Sequence, residues 1–311
     1  MTWISVAISA YLILAVANLL DKFLVDNVLT SSKAYALVAC VMGALVILVA
    51  PWFLVWPGTG LLLFDLLSGA IFAVALWFLY EALRRGEAAR VLVFIGGITP
   101  VFSLIFSILF FHEHYSPNQW LGMGALLVGV LVIAFLPVSR SFLARVMRKL
   151  RIQPVVKTGG LWIALFSALA YSLYFITTKY AYGGQPFASV FIWTRLGSVI
   201  FVLLFLIRKK DRQEIVGAWR RPNKNKNKAL VFFNQLLGAG GFILQNYAVF
   251  LGSVVLVNAL QGVQYAFLLI ISSVLALLAP RLLKENFSWR IVLQKTLAVA
   301  IIGWGLYLIV F

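Results

Sequence analysis

The chain has 311 residues, of which 63% are hydrophobic and 11% charged; a soluble globular domain carries about 25% charged and about 45–50% apolar residues. Ten apolar stretches of about 20 residues, the length one bilayer crossing needs, nearly fill the chain. They leave no room for a sizeable soluble domain and exclude a cytosolic enzyme, a secreted module and a disordered protein.

The stretches fall at 3–20, 34–56, 59–80, 89–110, 118–137, 160–181, 187–207, 229–250, 254–279 and 290–311. Each is read as a helix, because lipid offers no partner for backbone N–H and C=O groups. Their unbroken apolar character argues against the alternating strands of a barrel. The first has no Lys or Arg ahead of its apolar run, so it is expected to be an uncleaved helix, not a signal peptide. The fourth carries Gly96, Gly97 and Pro100; the proline removes a backbone hydrogen bond and marks either a hinge or a static kink. The ninth, 254–279, is open to tilting or breaking. The expected fold class is all-α and polytopic, with ten transmembrane helices.

The 26 Lys and Arg against 9 Asp and Glu give a formal charge of +17. Numbered by the spans that precede them, the odd connections hold every Lys and Arg except Lys179 and Arg195. Such segregation predicts odd loops in the cytoplasm and both termini outside. It also argues against nucleic acid, since the Asn223–Lys228 run has no stacking aromatics. Trp3, Trp52, Trp56, Trp120, Trp162, Trp219 and Trp289 lie near span ends, as an interfacial belt predicts.

The chain divides into two sets of five spans: residues 1–137, a basic linker at 138–158, and residues 159–311. Span one ends Leu20-Asp21-Lys22-Phe23 and span six ends Thr177-Thr178-Lys179-Tyr180. Span four is followed by Glu113 and Ser116, span nine by Glu285 and Ser288. Spans five and ten carry glycines, at Gly122, Gly124 and Gly129 and at Gly303 and Gly305, which read as close helix packing. Five is odd, so equivalent elements point in opposite directions. The loops obey this: Trp56-Pro57-Gly58-Thr59-Gly60 is uncharged, whereas its counterpart Arg208–Lys228 is the most basic loop. Inverted repeats of this kind are typical of secondary transporters, with a site near the midplane between the halves.

Tyr80-Glu81-Ala82-Leu83, then Pro100, then Glu113 with Ser116, then Gly122 and Gly129 resemble the EamA repeat of the drug/metabolite transporter superfamily. The resemblance covers nearly the whole chain as two tandem repeats. In the second half Tyr265 or Ala266 falls where Pro100 would recur. It implies a ten-helix carrier of small metabolites, amino acids, nucleotide sugars or drugs.

Ionisable groups at membrane depth need a reason. Arg195 is the deepest singled out, and either binds an anionic group or pairs with an acid. Lys179 and Lys22 hold equivalent positions and either reach a solute or snorkel to headgroups. Asp21 and Glu81 could carry a coupling proton, or be surface partners of Lys22, Arg84 and Arg85. Asn258, Gln261 and Tyr265 share i, i+3, i+7 spacing, with Gln264 beside them. Tyr171, Tyr174 and Thr178 repeat that spacing on span six, Trp77 and Tyr80 are i, i+3 on span three, and Gln245 and Asn246 fall late in span eight. Each polar set makes either interhelical hydrogen bonds or solute contacts. His112 and His114 flank Glu113 on different helix faces with no third ligand nearby, so no metal site is expected. No nucleophile–base–orienter set exists and no cofactor is implied, so the chain is not read as an enzyme.

These readings converge on a secondary transporter in a bacterial inner membrane. It would move a small polar metabolite by alternating access, with a proton as one candidate coupling partner. A membrane scaffold without transport, or a flippase for a lipid-linked headgroup, is the alternative.

Overall fold

The computed structural model describes residues 2–28, 31–86, 88–134, 159–220 and 225–278, with short pieces between 293 and 308. The basic linker 138–158, most of the tenth stretch, and the side chains of Lys22 and Tyr265 lie outside the described residues.

Within the described residues the fold is helical, without strands. The helices are α1 (Thr2–Asn27), α2 (Ser32–Gly43), α3 (Ala50–Phe53), α4 (Thr59–Arg85), α5 (Ala88–Phe111), α6 (Pro117–Ala134), α7 (Gly159–Tyr182), α8 (Phe187–Leu203), α9 (Lys209–Arg220), α10 (Asn225–Leu251), α11 (Val254–Ala259) and α12 (Gln261–Leu278). Among the described residues, five stretches are long and apolar enough to cross a bilayer: Thr2–Asp21, Ser32–Phe53, Thr59–Arg85, Phe94–Phe111 and Phe187–Leu206. Large apolar side chains such as Leu63, Leu67, Leu109, Phe110 and Phe166 are exposed along the helices, and Trp52, Trp56, Trp120 and Trp162 are exposed near helix ends. That distribution suits lipid around the bundle and headgroups at its rims.

Three local features have causes in the sequence. Between α2 and α3 the chain tightens to a 3-10 helix over Ala44–Val49. Pro51 has no N–H for the Ile47 carbonyl; the Ala50 N–H takes that acceptor instead, by an i→i−3 bond. The ninth stretch is broken at Leu260, between α11 and α12. The Val257 carbonyl beside the break accepts the Tyr11 hydroxyl at 2.6 Å. Finally, the basic loop after α8 contains the amphipathic α9, which the charge pattern alone did not suggest. It buries Ile215 and Ala218 and docks on the start of α2, with Lys33 Nζ 2.6 Å from Asp211 and the Ser31 hydroxyl donating to Glu214 at 2.7 Å.

Packing follows a small set of pairs. Helix α4 lies along α7 and α8, α1 along α10, α5 against α7, α1 against α12, and α2 against α10. The α4–α8 crossing is close enough to require glycine on both sides. A Cβ at Gly69 would fall 1.9 Å from the Thr194 carbonyl oxygen, and one at Gly197 would fall 2.2 Å from that of Leu66. Farther along the chain a Cβ at Gly305 would meet the Gly122 carbonyl oxygen at 2.8 Å. This crossing brings Arg195 of α8 against Phe72 of α4.

Candidate functional site

A cavity of about 100 Å³ lies among α1, α2, α4, α7, α8 and α10. Leu14, Leu76, Phe72, Phe191 and Phe242 give it apolar walls, and Asn18, Asp21, Tyr80, Tyr171, Arg195, Asn234 and Gln235 give it polar ones.

Arg195 projects from the ninth residue of α8 and is 3% exposed. Its guanidinium carbon lies 3.8 Å from the Phe72 ring centre, 5.0 Å from Phe191, 5.0 Å from Phe242 and 5.5 Å from Tyr174. Four rings therefore surround the cation, and each face presents negative quadrupole density to it. One terminal nitrogen, Nη2, donates to the Tyr174 hydroxyl at 2.8 Å, while Nε has no hydrogen-bond partner. Among the described residues no carboxylate pairs with this guanidinium. The cage moderates the cost of burying the charge but leaves hydrogen-bonding capacity unused.

Asp21, at the other acid-base extreme of the same cavity, is saturated by donors. Its Oδ1 accepts from the Tyr35 hydroxyl at 2.6 Å, Asn234 Nδ2 at 2.7 Å and Gln235 Nε2 at 3.4 Å. These donors come from α2 and α10, so the carboxylate ties α1 to both. A buried carboxylate needs such partners once water is withdrawn.

Of the residues singled out in the sequence, Arg195, Asp21, Tyr80 and Tyr171 line this cavity. Tyr174 and Asn246 stand behind it: Tyr174 accepts from Arg195 and donates to Asn246 Oδ1 at 2.8 Å. Lys179 points elsewhere. Its ammonium donates to the carbonyls of Val249, Phe250 and Gly252 at 3.0, 3.3 and 2.7 Å, which caps the C-terminal end of α10. Glu81 accepts from Ser32 at 2.7 Å and pairs with Arg84 at 2.9 Å and Arg85 at 2.5 Å. Trp77 lies under the Lys33 ammonium, 5.4 Å from its centroid. Glu81 and Trp77 share a separate hollow at the Arg85 end of α4. Pro100, with Gly96, lines a small apolar void between α5, α6 and α11.

The break at Leu260 separates Asn258 from Gln261 and Gln264, so they do not form one continuous helical stripe. Asn258 is buried and donates to Ser103 at 2.9 Å, Gln264 is buried, and Gln261 is half-buried. Near the end of α5, Glu113 accepts from the Tyr115 hydroxyl and from Ser253 at 2.8 Å. Burial, and after it the bond to Glu113, pushes the Tyr115 phenol up to about 12. Among the described residues no three His, Cys, Asp or Glu side chains converge as metal ligands.

Sequence reasoning missed two parts of the site and, outside the cavity, one buried acid of α4. Asn234 and Gln235 were hidden at the start of a long apolar stretch. Phe72, Phe191 and Phe242 carry no signal as cage residues until the helices are assembled. Asp65, an acid inside span three, gave the same signal as Arg195 and was legible.

Residues 1–135 match the EamA-like transporter family. A stretch of 110 residues is 33% identical to "Uncharacterized transporter YdfC" of Bacillus subtilis (strain 168), covering 34% of this chain and 30% of the relative's own length. The match thus spans about a third of that relative. A crystal structure of a protein 17% identical aligns over 97% of this chain and 93% of its own, with a TM-score of 0.63. At that identity the likeness shows the fold alone.

Proposed function

We propose that the chain, whose residues 1–135 match the EamA-like transporter family, is a membrane transporter of the drug/metabolite type. It moves a small polar metabolite across the bacterial cytoplasmic membrane by alternating access. The observation that carries this reading is Arg195: a buried guanidinium facing a cavity, with Nε unpartnered and no described carboxylate beside it. A planar guanidinium fork matches a carboxylate. The metabolite therefore carries a carboxylate, and its apolar part contacts Phe72, Phe191 and Phe242.

The helix pairing supports two inverted repeats, residues 1–137 and 159–311, joined by the linker 138–158. Exchanging α1 with α7, α2 with α8, α4 with α10 and α5 with α11–α12 converts the α1–α10 pair into α7–α4. It converts α4–α8 into α10–α2, and α5–α7 into α12–α1; all six pairs occur. A two-fold relation in the membrane plane has this property. Ten spans with the Arg85 end of α4 in the cytoplasm and the Gly58 end outside then satisfy the charge segregation. Rocking of one repeat against the other opens the Arg195 cavity to each side in turn, driven only by a difference in solute affinity between states.

Counterflow in proteoliposomes tests the assignment. Vesicles preloaded with single carboxylated metabolites, amino acids first, should accumulate the labelled compound through the wild-type protein. Arg195→Ala should lower that rate at least tenfold, and Arg195→Lys should recover part of it. Full carboxylate counterflow by Arg195→Ala would remove the substrate class. No counterflow of any small solute by the wild type would favour the scaffold or the flippase.

A further inference from the structure

Six carboxylates have described side chains, and five of them are accounted for. Asp21 accepts from Tyr35, Asn234 and Gln235; Glu81 pairs with Arg84 and Arg85; Glu113 accepts from Tyr115 and Ser253; Asp211 pairs with Lys33; Glu214 accepts from Ser31. The sixth is Asp65. It sits in the second turn of α4, is 0% exposed, and neither of its oxygens has a hydrogen-bond partner among the described residues.

The group facing it is in the same condition. Gln185 lies in the turn between α7 and α8, is 8% exposed, and has no partner for either Oε1 or Nε2. Its carboxamide lies close enough to act on the Asp65 carboxyl, though neither group meets the geometry of a hydrogen bond. The Val55 backbone is pinned to α8 by its N–H donating to Ser189 at 3.2 Å, and by its carbonyl accepting from Ser189 at 2.9 Å and from Trp193 at 3.1 Å. Phe64 packs against Tyr180 at 5.5 Å. Tyr182 of α7 lies within electrostatic reach of Asp65, and Tyr180 packs on the preceding residue, Phe64. Arg195 of α8 lies about two turns deeper along α4, committed to Phe72 and Tyr174. The helices packed on α4 therefore bring no described cation to this carboxylate.

We propose that Asp65 and Gln185 form a binding site for a monovalent cation, either a proton or a sodium ion. A carboxylate removed from water with no donor in hydrogen-bonding geometry and no counter-charge beside it is driven toward neutralisation. One monovalent cation does this with no residual charge, whereas a divalent ion would leave a net positive charge beside two buried side chains. Two carboxylate oxygens and the Gln185 carbonyl supply the oxygen ligands that a hard cation prefers. If the cation is a proton, it adds to one Asp65 oxygen and gives an O–H that Gln185 Oε1 can accept. The site lies apart from the Arg195 cavity, whose lining includes neither residue. It goes beyond the transport reading and does not depend on it, because binding is measured with no organic solute present.

The experiment uses the purified full-length protein in detergent. Thermal unfolding is followed in sodium chloride and in choline chloride at pH 6 and pH 8, for wild type, Asp65→Asn and Gln185→Leu. The infrared carbonyl band of a protonated carboxylic acid is recorded for the same proteins. The sodium outcome is a saturable rise in Tm with sodium at pH 8, lost in Asp65→Asn and shifted at least tenfold in midpoint by Gln185→Leu. The proton outcome is indifference to sodium, with a protonated-acid band in wild type and in Gln185→Leu that is missing from Asp65→Asn. Either outcome supports the site and identifies its cation. A wild type that ignores sodium and lacks an Asp65-dependent acid band overturns the proposal, as does a sodium response equal in wild type and Asp65→Asn. Because Asp21 is a second buried carboxyl, the band is assigned by its loss when Asp65 is replaced, and Asp65→Ser serves where Asp65→Asn expresses poorly.

Discussion

The Arg195 guanidinium carbon rests 3.8 Å from the centre of the Phe72 ring, so a cation from α8 is held on an aromatic face from α4. The contact is possible because Gly69 and Gly197 let the two helices touch backbone to backbone. Phe72→Leu keeps the apolar wall and removes the nearest face. A desolvated cation–π contact is worth up to ~2 kcal/mol, so carboxylate affinity in a binding titration should fall roughly tenfold, each factor of ten being ~1.4 kcal/mol.

The crossing itself is open to a harsher test. Gly69→Ala sets a methyl 1.9 Å from the Thr194 carbonyl oxygen, and Gly197→Ala sets one 2.2 Å from that of Leu66. Neither acceptor is a side chain that can swing aside. Overpacking typically costs ~1–3 kcal/mol, and backbone contacts this short belong at or above the top of that range. Both variants should lose several degrees in Tm or fail to accumulate in the membrane. Gly240→Ala, with open space around its Cβ, should unfold like the wild type.

Lys179 gives a prediction of opposite character. Its three carbonyl contacts at the end of α10 make it a cap, and a cation at a helix C-terminus contributes ~0.3–2 kcal/mol. Lys179→Met should lower Tm by a few degrees while leaving the KM for a carboxylated solute unchanged. A large rise in KM with unchanged Tm would instead put Lys179 at the solute.

Asp21 should behave as a tie between helices. Asp21→Leu would leave the Tyr35 hydroxyl, Asn234 and Gln235 without their shared acceptor. Unpaired buried donors cost ~1–3 kcal/mol each, so unfolding in detergent should shift strongly downward. Asp21→Asn, which keeps an acceptor oxygen, should cost less than half as much.

Apolar length and continuity made the helices legible, because a bilayer demands both. The Arg195 position was legible for the same reason: a charge inside an apolar run is conspicuous. What surrounds it was not, since Phe72, Phe191 and Phe242 lie on three helices and look like ordinary lipid-soluble residues until those helices pack. Lys179 looked like a candidate by breaking the charge pattern, yet the pattern could not reveal the three carbonyls waiting at the end of α10. The stripe through Asn258 and Gln261 assumed one unbroken helix, and the turn at Leu260 sets those residues on separate segments. The docked helix α9 was concealed within the most basic loop, where charge outweighed the Ile215 and Ala218 face.

Side-specific labelling of Ala239 bears most directly on transport through the Arg195 cavity, which Ala239 lines. In a Cys40→Ser background, Ala239→Cys would be exposed to a membrane-impermeant maleimide from one side of sealed, uniformly oriented vesicles at a time. The account predicts labelling from either side, with saturating carboxylated solute slowing both reactions. Labelling from one side only, whatever the solute, would contradict it.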